Sequence, residues 1–363
     1  MHQPPRILHV VGARPNFMKV APVLREMDRR GSARNLLLHS GQHYDDDMSD
    51  AFFRDLDIRR PDIHLGVGSG SHGKQTAEVL SKTEEVLLDG QWDMVVVVGD
   101  VNSTVAAALA AAKLGIPVAH VEAGLRSRDR SMPEELNRIV TDQLSDLCLT
   151  PSRDGDANLR AEGIQEERIR FVGNVMIDTL LHTLEDVRLT DPLFPDLVAG
   201  EYAVVTLHRP SNVDDPDQLR EIVSALKEIG QDVELLFPVH PRTAKALEAN
   251  NIDLGEIQVL PPLGYRQMLA LQADAGLVLT DSGGMQEETT VLGVPCLTLR
   301  STTERPITID QGTNRLVPVR SRDAILSAFS ETWGRGVSVG RPEGWDGQAA
   351  VRIADAIELH LGL

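Results

Sequence analysis

The chain has 363 residues, 42% hydrophobic and 25% charged, a globular composition of a size that suits two ordinary domains. A formal net charge of −18 argues against a nucleic-acid or anionic-membrane partner, since both are recruited by basic surface. It leaves room for a nucleotide, which a few local cations and helix N-termini can hold. The opening MHQPPRILHVVGARP has no basic segment followed by a long apolar stretch, and no apolar run reaches the roughly 20 residues of a membrane span. A cytoplasmic protein without a membrane partner is therefore expected. Cys148 and Cys296 lie in apolar runs and read as small buried hydrophobes of a reducing compartment.

In the first half, β-branched runs alternate with helical periodicity. The first predicted strand, Ile7–Val11, runs into the loop GARPNFMK and an apolar-periodic helix. Open α/β sheets bind ligands at the carboxyl ends of their strands, which makes Arg14 and Lys19 candidate ligand cations. The loop has a single Gly, so the dinucleotide fingerprint is missing and no nicotinamide cofactor is expected. After the strand Asn35–His39, GQHYDDDMSD reads as a solvated acidic loop without the register of a calcium loop. No Cys or His pair has a zinc spacing, and no metal is expected.

A predicted helix over Lys74–Leu88 leads to the strand Met94–Val98, then to Gly99 and Asp100 and a helix over Ser103–Leu114. Asp100 reads either as a turn or capping residue or as a carboxylate raised to the rim of the sheet. The strand Pro117–Val121 ends at Glu122, before a Gly-containing turn where a charge is not buried without purpose. In the predicted helix Pro133–Leu144, Glu134 and Arg138 stand four apart, and a local ion pair is the simplest account of them. Yet Asp100, Glu122 and Glu134 converge on the carboxyl edge of one sheet. Clustered acids raise one another's pKa, which supplies a proton donor and acceptor near neutral pH. Strands at Leu147–Thr150 and Ile169–Val172 complete this half. Strands apolar throughout fit a parallel sheet covered on both faces, so a doubly wound α/β domain is predicted over residues 1–185.

The breaker-rich stretch Leu189–Gly200 reads as the passage to a second α/β domain over residues 200–345. Its predicted strands are Ala203–Leu207, Glu234–Val239, Leu277–Thr280 and Pro295–Leu299, separated by helices at Gln218–Glu228, Thr243–Ala249, Gln267–Leu271 and Met285–Leu292. The first of these strands ends in His208 and Arg209, where a structural histidine and a ligand-facing one are equally open; His240 is placed alike. The most specific local signal is DSGGMQEE, a strand end followed at once by a helix. Glycines there let the backbone approach an anion, so Ser282, Gly283 and Gly284 with the helix N-terminal amides suit diphosphate oxygens. Glu288, about one turn in, could accept from ribose hydroxyls, and RSTTERP adds Arg305 beside the same edge. Gly347–Leu361 reads as an amphipathic helix outside either sheet. Two such halves suggest a deep inter-domain cleft, a favoured place for a ligand.

The motifs GARPNFMKVAP, SGQHYDDDMSDAFF, GSGSHGKQT, GDVNSTVA, HVEAGLRS, MPEELNRIVTD, LHRPSN, DSGGMQEE and TTERP run in order from residue 12 to about residue 306. In that order they closely resemble the non-hydrolysing UDP-N-acetylglucosamine 2-epimerases. The resemblance implies a GT-B-like fold of two Rossmann-type domains, with UDP mostly on the second and a C-terminal helix, 346–363, crossing back to complete the first. It implies interconversion of UDP-N-acetylglucosamine and UDP-N-acetylmannosamine without a cofactor. The route would be anti elimination of UDP to 2-acetamidoglucal, then re-addition after protonation of the other face.

Under this resemblance Asp100, Glu122 and Glu134 match acid/base candidates, and His208 a catalytic histidine near the phosphates. Arg14, Lys19 and Arg138 match cleft cations; Ser282, Gly283, Gly284 and Glu288 match the UDP site, and Met268 the neighbourhood of the uracil. A homodimer is implied in the same way. The segment around Gln42 and His43 matches a second UDP-sugar site of substrate-activated members, but Asp45 stands near where those members carry a second amide. GARPNFMK also departs from the GTRPEAIK form of the best-known bacterial members. The SGSHGKQT variant occurs in relatives that act on a UDP-diacetamido-uronic acid.

Other readings compete on particular features. A GT-B glycosyltransferase would share the UDP site but has no need of three acids in its first half. A hydrolysing epimerase usually opens with an R-A-D-Y type loop, which this chain lacks. A non-catalytic sugar-nucleotide sensor would have its acid cluster degraded, whereas Asp100, Glu122, Glu134 and His208 are all present.

Overall fold

The computed structural model describes residues 4–41, 58–185, 187, 194, 196–319, 321–335 and 340–363. The chain divides into two compact units, Met1–His182 with Glu343–Leu363, and Thr183–Pro342. Half of the expected passage Leu189–Gly200, residues 189–193 and 195, lies outside the described residues.

The first unit contains β1 (Arg6–Val11), β2 (Arg34–His39), β3 (Ile63–His64), β4 (Met94–Val98), β5 (Val118–Val121), β6 (Leu147–Thr150) and β7 (Ile169–Phe171). They pair in the order β3-β2-β1-β4-β5-β6-β7, all parallel. Its helices are α1 (Arg14–Arg30), α2 (His72–Leu88), α3 (Asn102–Lys113), α4 (Pro133–Leu144), α5 (Arg153–Ala161) and α6 (Val175–Leu184). All five residues of β4, Met-Val-Val-Val-Val, are buried, as a central strand covered on both faces requires. The alanines of α3 are buried almost all round, which lets that helix pack closely on the sheet. Strand order reverses between β1 and β4, and a crevice opens at such a reversal at the strands' carboxyl ends.

The second unit contains β8 (Tyr202–Thr206), β9 (Glu234–Pro238), β10 (Gln258–Leu260), β11 (Leu277–Thr280), β12 (Cys296–Thr298) and β13 (Asn314–Leu316). They pair in the order β10-β9-β8-β11-β12-β13, again all parallel, and the reversal falls between β8 and β11. Helices α7 (Pro210–Val213), α8 (Pro216–Ile229), α9 (Pro241–Ala249), α10 (Tyr265–Ala273), α11 (Gly283–Leu292), α12 (Ile307–Asp310) and α13 (Arg322–Thr332) surround it. The architecture is therefore α/β and GT-B-like, two parallel-sheet units with helices on the sheet faces.

The last helix, α14 (Ala349–Leu361), belongs to the first unit. Its open N-terminal amides at Ala349 and Ala350 donate to Asp178 at 3.1 and 2.7 Å, and Arg30 of α1 binds Asp355 and Glu358 at 2.7 and 2.6 Å. Trp345, fully buried ahead of the helix, donates to the Pro151 carbonyl at 3.1 Å. Among the described residues no helix is long and apolar enough to cross a membrane.

Candidate active site

In the first unit Asp100 stands where the sheet order reverses, and Glu122 one strand further along the sheet. Asp100 follows β4 by two residues and Glu122 follows β5 directly, so adjacent strands deliver the two carboxylates to neighbouring turns. Glu122 is buried at 6% exposure and forms an ion pair with Lys19, which α1 presents at 5% exposure. Arg138 of α4 donates from Nη2 and Nε to Asp100 Oδ2 at 2.6 and 3.1 Å, and from Nη1 to Glu135 at 2.8 Å. The sequence suggested acids crowding acids; the fold instead sets a cation against each of two. Lys19 and Arg138, read as ligand cations, are thus also partners of the acids.

Glu134 is half-buried in the first turn of α4. Its neighbour Glu135, which the sequence reading passed over, accepts the Ser127 and Arg128 amides at 2.9 Å each and so pins the loop after β5. Burial pushes the Glu135 carboxyl up, but those amides, the Ser127 hydroxyl and Arg138 outweigh it and lower its pKa.

Gly99, with φ of 67°, makes the turn between β4 and Asp100. A Cβ there would lie 3.0 Å from Lys19 Nζ and 3.5 Å from Glu122 Oε2, so the turn presses against the ion pair. Asn16 joins the two strand ends: its Oδ1 accepts the Gly12 and Ala13 amides at 3.2 and 3.1 Å, and its Nδ2 donates to the Val98 carbonyl at 2.9 Å. The backbone of Arg14 opens α1, but its side chain lies outside the described residues, as do Gln42, His43 and Asp45.

The second unit repeats the arrangement at its own reversal. His208 follows β8 and Asp281 follows β11. Asp281 accepts the Arg209 amide at 2.9 Å, the His208 amide at 3.0 Å, the Asn212 amide group at 3.2 Å and His208 Nδ1–H at 2.8 Å. Burial acts to raise the Asp281 carboxyl; the His208 ring and these amides prevail and hold it below the usual carboxylate range. Asp281 thus engages Nδ1 of a His208 side chain that is 41% exposed.

Ser282 is the N-cap of α11 and makes no capping bond with its side chain, so the first-turn amides are open to an anion. Gly283 lies under a close approach: a Cβ would fall 2.6 Å from Arg305 Nη1 and 2.9 Å from Glu304 Oε1, and those side-chain ends would have to shift. Arg305 is buried and paired with Glu304 and Glu287, and it braces this turn from behind. Met268 is half-buried against the cluster of Tyr202, Leu236 and Met285.

Glu288 is buried, its Oε2 accepting from Gln272 Nε2 at 2.8 Å. Burial pushes its carboxyl up to about 6 despite the bond from Gln272. The folded pKa thus exceeds the ordinary value, so the cost is fully present above about pH 6 and absent once both states are protonated below about 4.5. Glu288→Gln is therefore expected to stabilise the unliganded protein at pH 8 by about 2 kcal/mol, with no gain at pH 4. Denaturation with urea at the two pH values checks this; an equal effect at both would contradict it.

The sequence model of the UDP-N-acetylglucosamine 2-epimerase family matches residues 25–358. The chain belongs to that family. A Methanococcus maripaludis relative, named as a UDP-N-acetylglucosamine 2-epimerase homolog, is 44% identical to this family member over 336 residues, 90% of this chain and 92% of its own. The UDP-2,3-diacetamido-2,3-dideoxy-D-glucuronate 2-epimerase of Pseudomonas aeruginosa is 41% identical over 353 residues, 96% of this chain and 98% of its own. A crystal structure of Methanocaldococcus jannaschii UDP-GlcNAc 2-epimerase in complex with UDP-GlcNAc and UDP has 39% sequence identity and a TM-score of 0.90. It covers 98% of this epimerase-family chain and 99% of the other.

Proposed function

We propose that this protein interconverts UDP-N-acetylglucosamine and UDP-N-acetylmannosamine at carbon 2 without net hydrolysis. The observation that carries the reading is the pair of carboxylates on adjacent strand ends, Glu122 against Lys19 and Asp100 against Arg138. Hydrogen on carbon 2 of the sugar is weakly acidic, so its removal needs a positioned base acting together with stabilisation of the leaving group. A carboxylate takes that proton while the C1–O bond breaks and its electron pair leaves with UDP, giving 2-acetamidoglucal. A carboxyl group on the other face then returns a proton to carbon 2, and the UDP oxygen re-forms the bond at carbon 1. Nothing else is consumed.

Asp100, Glu122 and Glu134 are the acid/base set in this reading, with Lys19 and Arg138 fixing two of them. The second unit takes the nucleotide: Ser282, Gly283, Gly284 and the α11 amides the diphosphate, His208 Nε2 the phosphate oxygens, Glu288 the ribose and Met268 the uracil side. Arg305 serves the site through the Gly283 turn, and Arg14 joins the cations by its place in the loop. The relatives' names and the complex with UDP-GlcNAc and UDP support a UDP-sugar as the substrate. Ser282→Ala is expected to weaken UDP binding roughly 10- to 150-fold, the loss of about 1.5–3 kcal/mol for a hydrogen bond to a charged group. Calorimetry with UDP measures it, and unchanged affinity would remove Ser282 from the site.

Proton NMR of the protein with UDP-N-acetylglucosamine in deuterium oxide tests the function. Formation of UDP-N-acetylmannosamine carrying deuterium at carbon 2, without accumulation of free sugar, is the expected result. Absence of both epimer and exchange would refute this substrate. The second reading, a UDP-2,3-diacetamido-uronic acid as substrate, is favoured by the 41% identity to the Pseudomonas aeruginosa enzyme over 96% of the chain. Turnover of that sugar alone would establish it. A homodimer belongs to the same reading and is checked by light scattering.

A further inference from the structure

Two side chains outside the proposed substrate contacts, His120 and Asp142, are completely buried behind the turns that carry Asp100 and Glu122. A histidine inside a parallel strand of Val and Ala is costly unless both ring nitrogens are satisfied. Here Nε2–H donates to the Gly99 carbonyl at 2.7 Å and Nδ1–H to Asp142 Oδ1 at 2.6 Å. Asp142, on α4, accepts the Gly124 amide at 3.1 Å through Oδ2 and pairs with Arg126 at 2.7 Å; Arg126 is held in turn by Glu162. Burial would raise the Asp142 carboxyl, but His120 and then Arg126 outweigh it and lower its pKa, so Asp142 remains an acceptor in all of these bonds.

The two backbone groups gripped in this way are the ones that set the acids. Gly99 immediately precedes Asp100, and Gly124 follows Glu122 by two residues. Glu122 itself has φ of 73°. A side-chain-bearing residue in that left-handed region is strained and persists only where its surroundings over-determine it. The Glu122 and Ala123 amides share the Leu149 carbonyl at 3.1 Å, and the Gly124 amide goes to Asp142. One turn earlier on the same helix, Arg138 holds the Asp100 carboxylate.

We propose that the His120–Asp142 pair is a brace that fixes the Asp100 and Glu122 turns relative to each other, and that both are positioning residues for proton transfer at carbon 2. The inference rests on the reading of Asp100 and Glu122 as proton-transfer groups. Proton abstraction requires near-contact geometry, and a misplacement of about 1 Å costs on the order of 10²-fold in rate.

Single variants separate the two arms of the brace. In His120→Asn the amide replaces Nδ1 and keeps the Asp142 bond while the Gly99 bond is lost. In His120→Gln the longer amide replaces Nε2 and keeps the Gly99 bond instead. Asp142→Asn weakens both arms, and the His120 pair serves where it fails to fold. In each variant kcat is expected to fall about 10²-fold, with KM and UDP affinity within about two-fold of wild type. Peptide-resolved hydrogen exchange is expected to accelerate at residues 97–104 in His120→Asn and at 121–127 in Asp142→Asn. A merely structural role would lower the melting temperature and leave kcat of the folded fraction unchanged, and that result overturns the proposal. Unchanged exchange at both turns overturns it equally. If wild type turns over no UDP-sugar, it is the functional reading that fails, and exchange still decides the brace.

Discussion

Glu122→Gln is expected to lower turnover of the UDP-sugar by about 10³-fold, within the range that a positioned general base or acid contributes. Gln keeps the size of Glu and an oxygen that can accept from Lys19, but it has no basic carboxylate at neutral pH. The buried ammonium of Lys19 then loses its counter-charge, so some stability is lost as well, and a melting curve separates that effect from chemistry. UDP affinity should be unchanged, because the proposed diphosphate contacts lie on α11 of the other unit. Steady-state kinetics, exchange of the carbon-2 proton and UDP calorimetry together check the prediction. Turnover near the wild-type rate would remove Glu122 from proton transfer; a large loss of UDP affinity would make it a binding residue.

Where local sequence dictates structure, the elements were readable to the residue. Met94–Val98, Leu147–Thr150 and Leu277–Thr280 are apolar runs closed by Gly, Asp or Pro, and each is a strand over those residues. The helix at Pro133–Leu144 begins at a proline in the N1 position, where a missing amide hydrogen costs nothing. By contrast β3, β10 and β13 have two or three residues each, with exposed or polar members, and no periodicity announces them. They exist because a neighbouring strand offers an edge.

The site divides in the same way. Acids and histidines at strand ends were legible because a parallel sheet puts its chemistry there. Their partners were not. Lys19 and Glu122 are 103 residues apart, and Arg138 chooses Asp100, 38 residues away, where spacing along the helix suggested Glu134. Asp281 stood inside a quoted motif with no role, because its function appears only when β8 lies beside β11 and brings His208 to it. His120 and Asp142 escaped for a similar reason: a histidine in a valine-rich strand and an aspartate on a helix look incidental until both ring nitrogens are seen to be bonded.

Asp281→Ala is expected to be the most damaging change in the second unit. The carboxylate accepts two backbone amides and the Asn212 amide group besides the His208 ring, and it is fully buried. Its removal leaves two backbone amides and the Asn212 amide group without their acceptor, and at about 1–3 kcal/mol for each buried donor left unsatisfied the loss comes to about 3–5 kcal/mol. For a unit of this size the melting temperature should drop by roughly 10 °C. The pH dependence runs in the same direction. The Asp281 carboxyl lies below its ordinary value when folded, so its stabilisation is present above the unfolded pKa and is lost as pH falls through the folded one. Wild type should therefore lose its advantage over Asp281→Ala in acid. UDP binding should weaken with it, since the same carboxylate orients His208 and anchors the turn into α11. Differential scanning calorimetry at pH 7 and pH 3, with and without UDP, measures all three effects. A variant that melts like wild type at pH 7 would show that the donors find other acceptors, and Asp281 would then lose its place as the keystone of the turn.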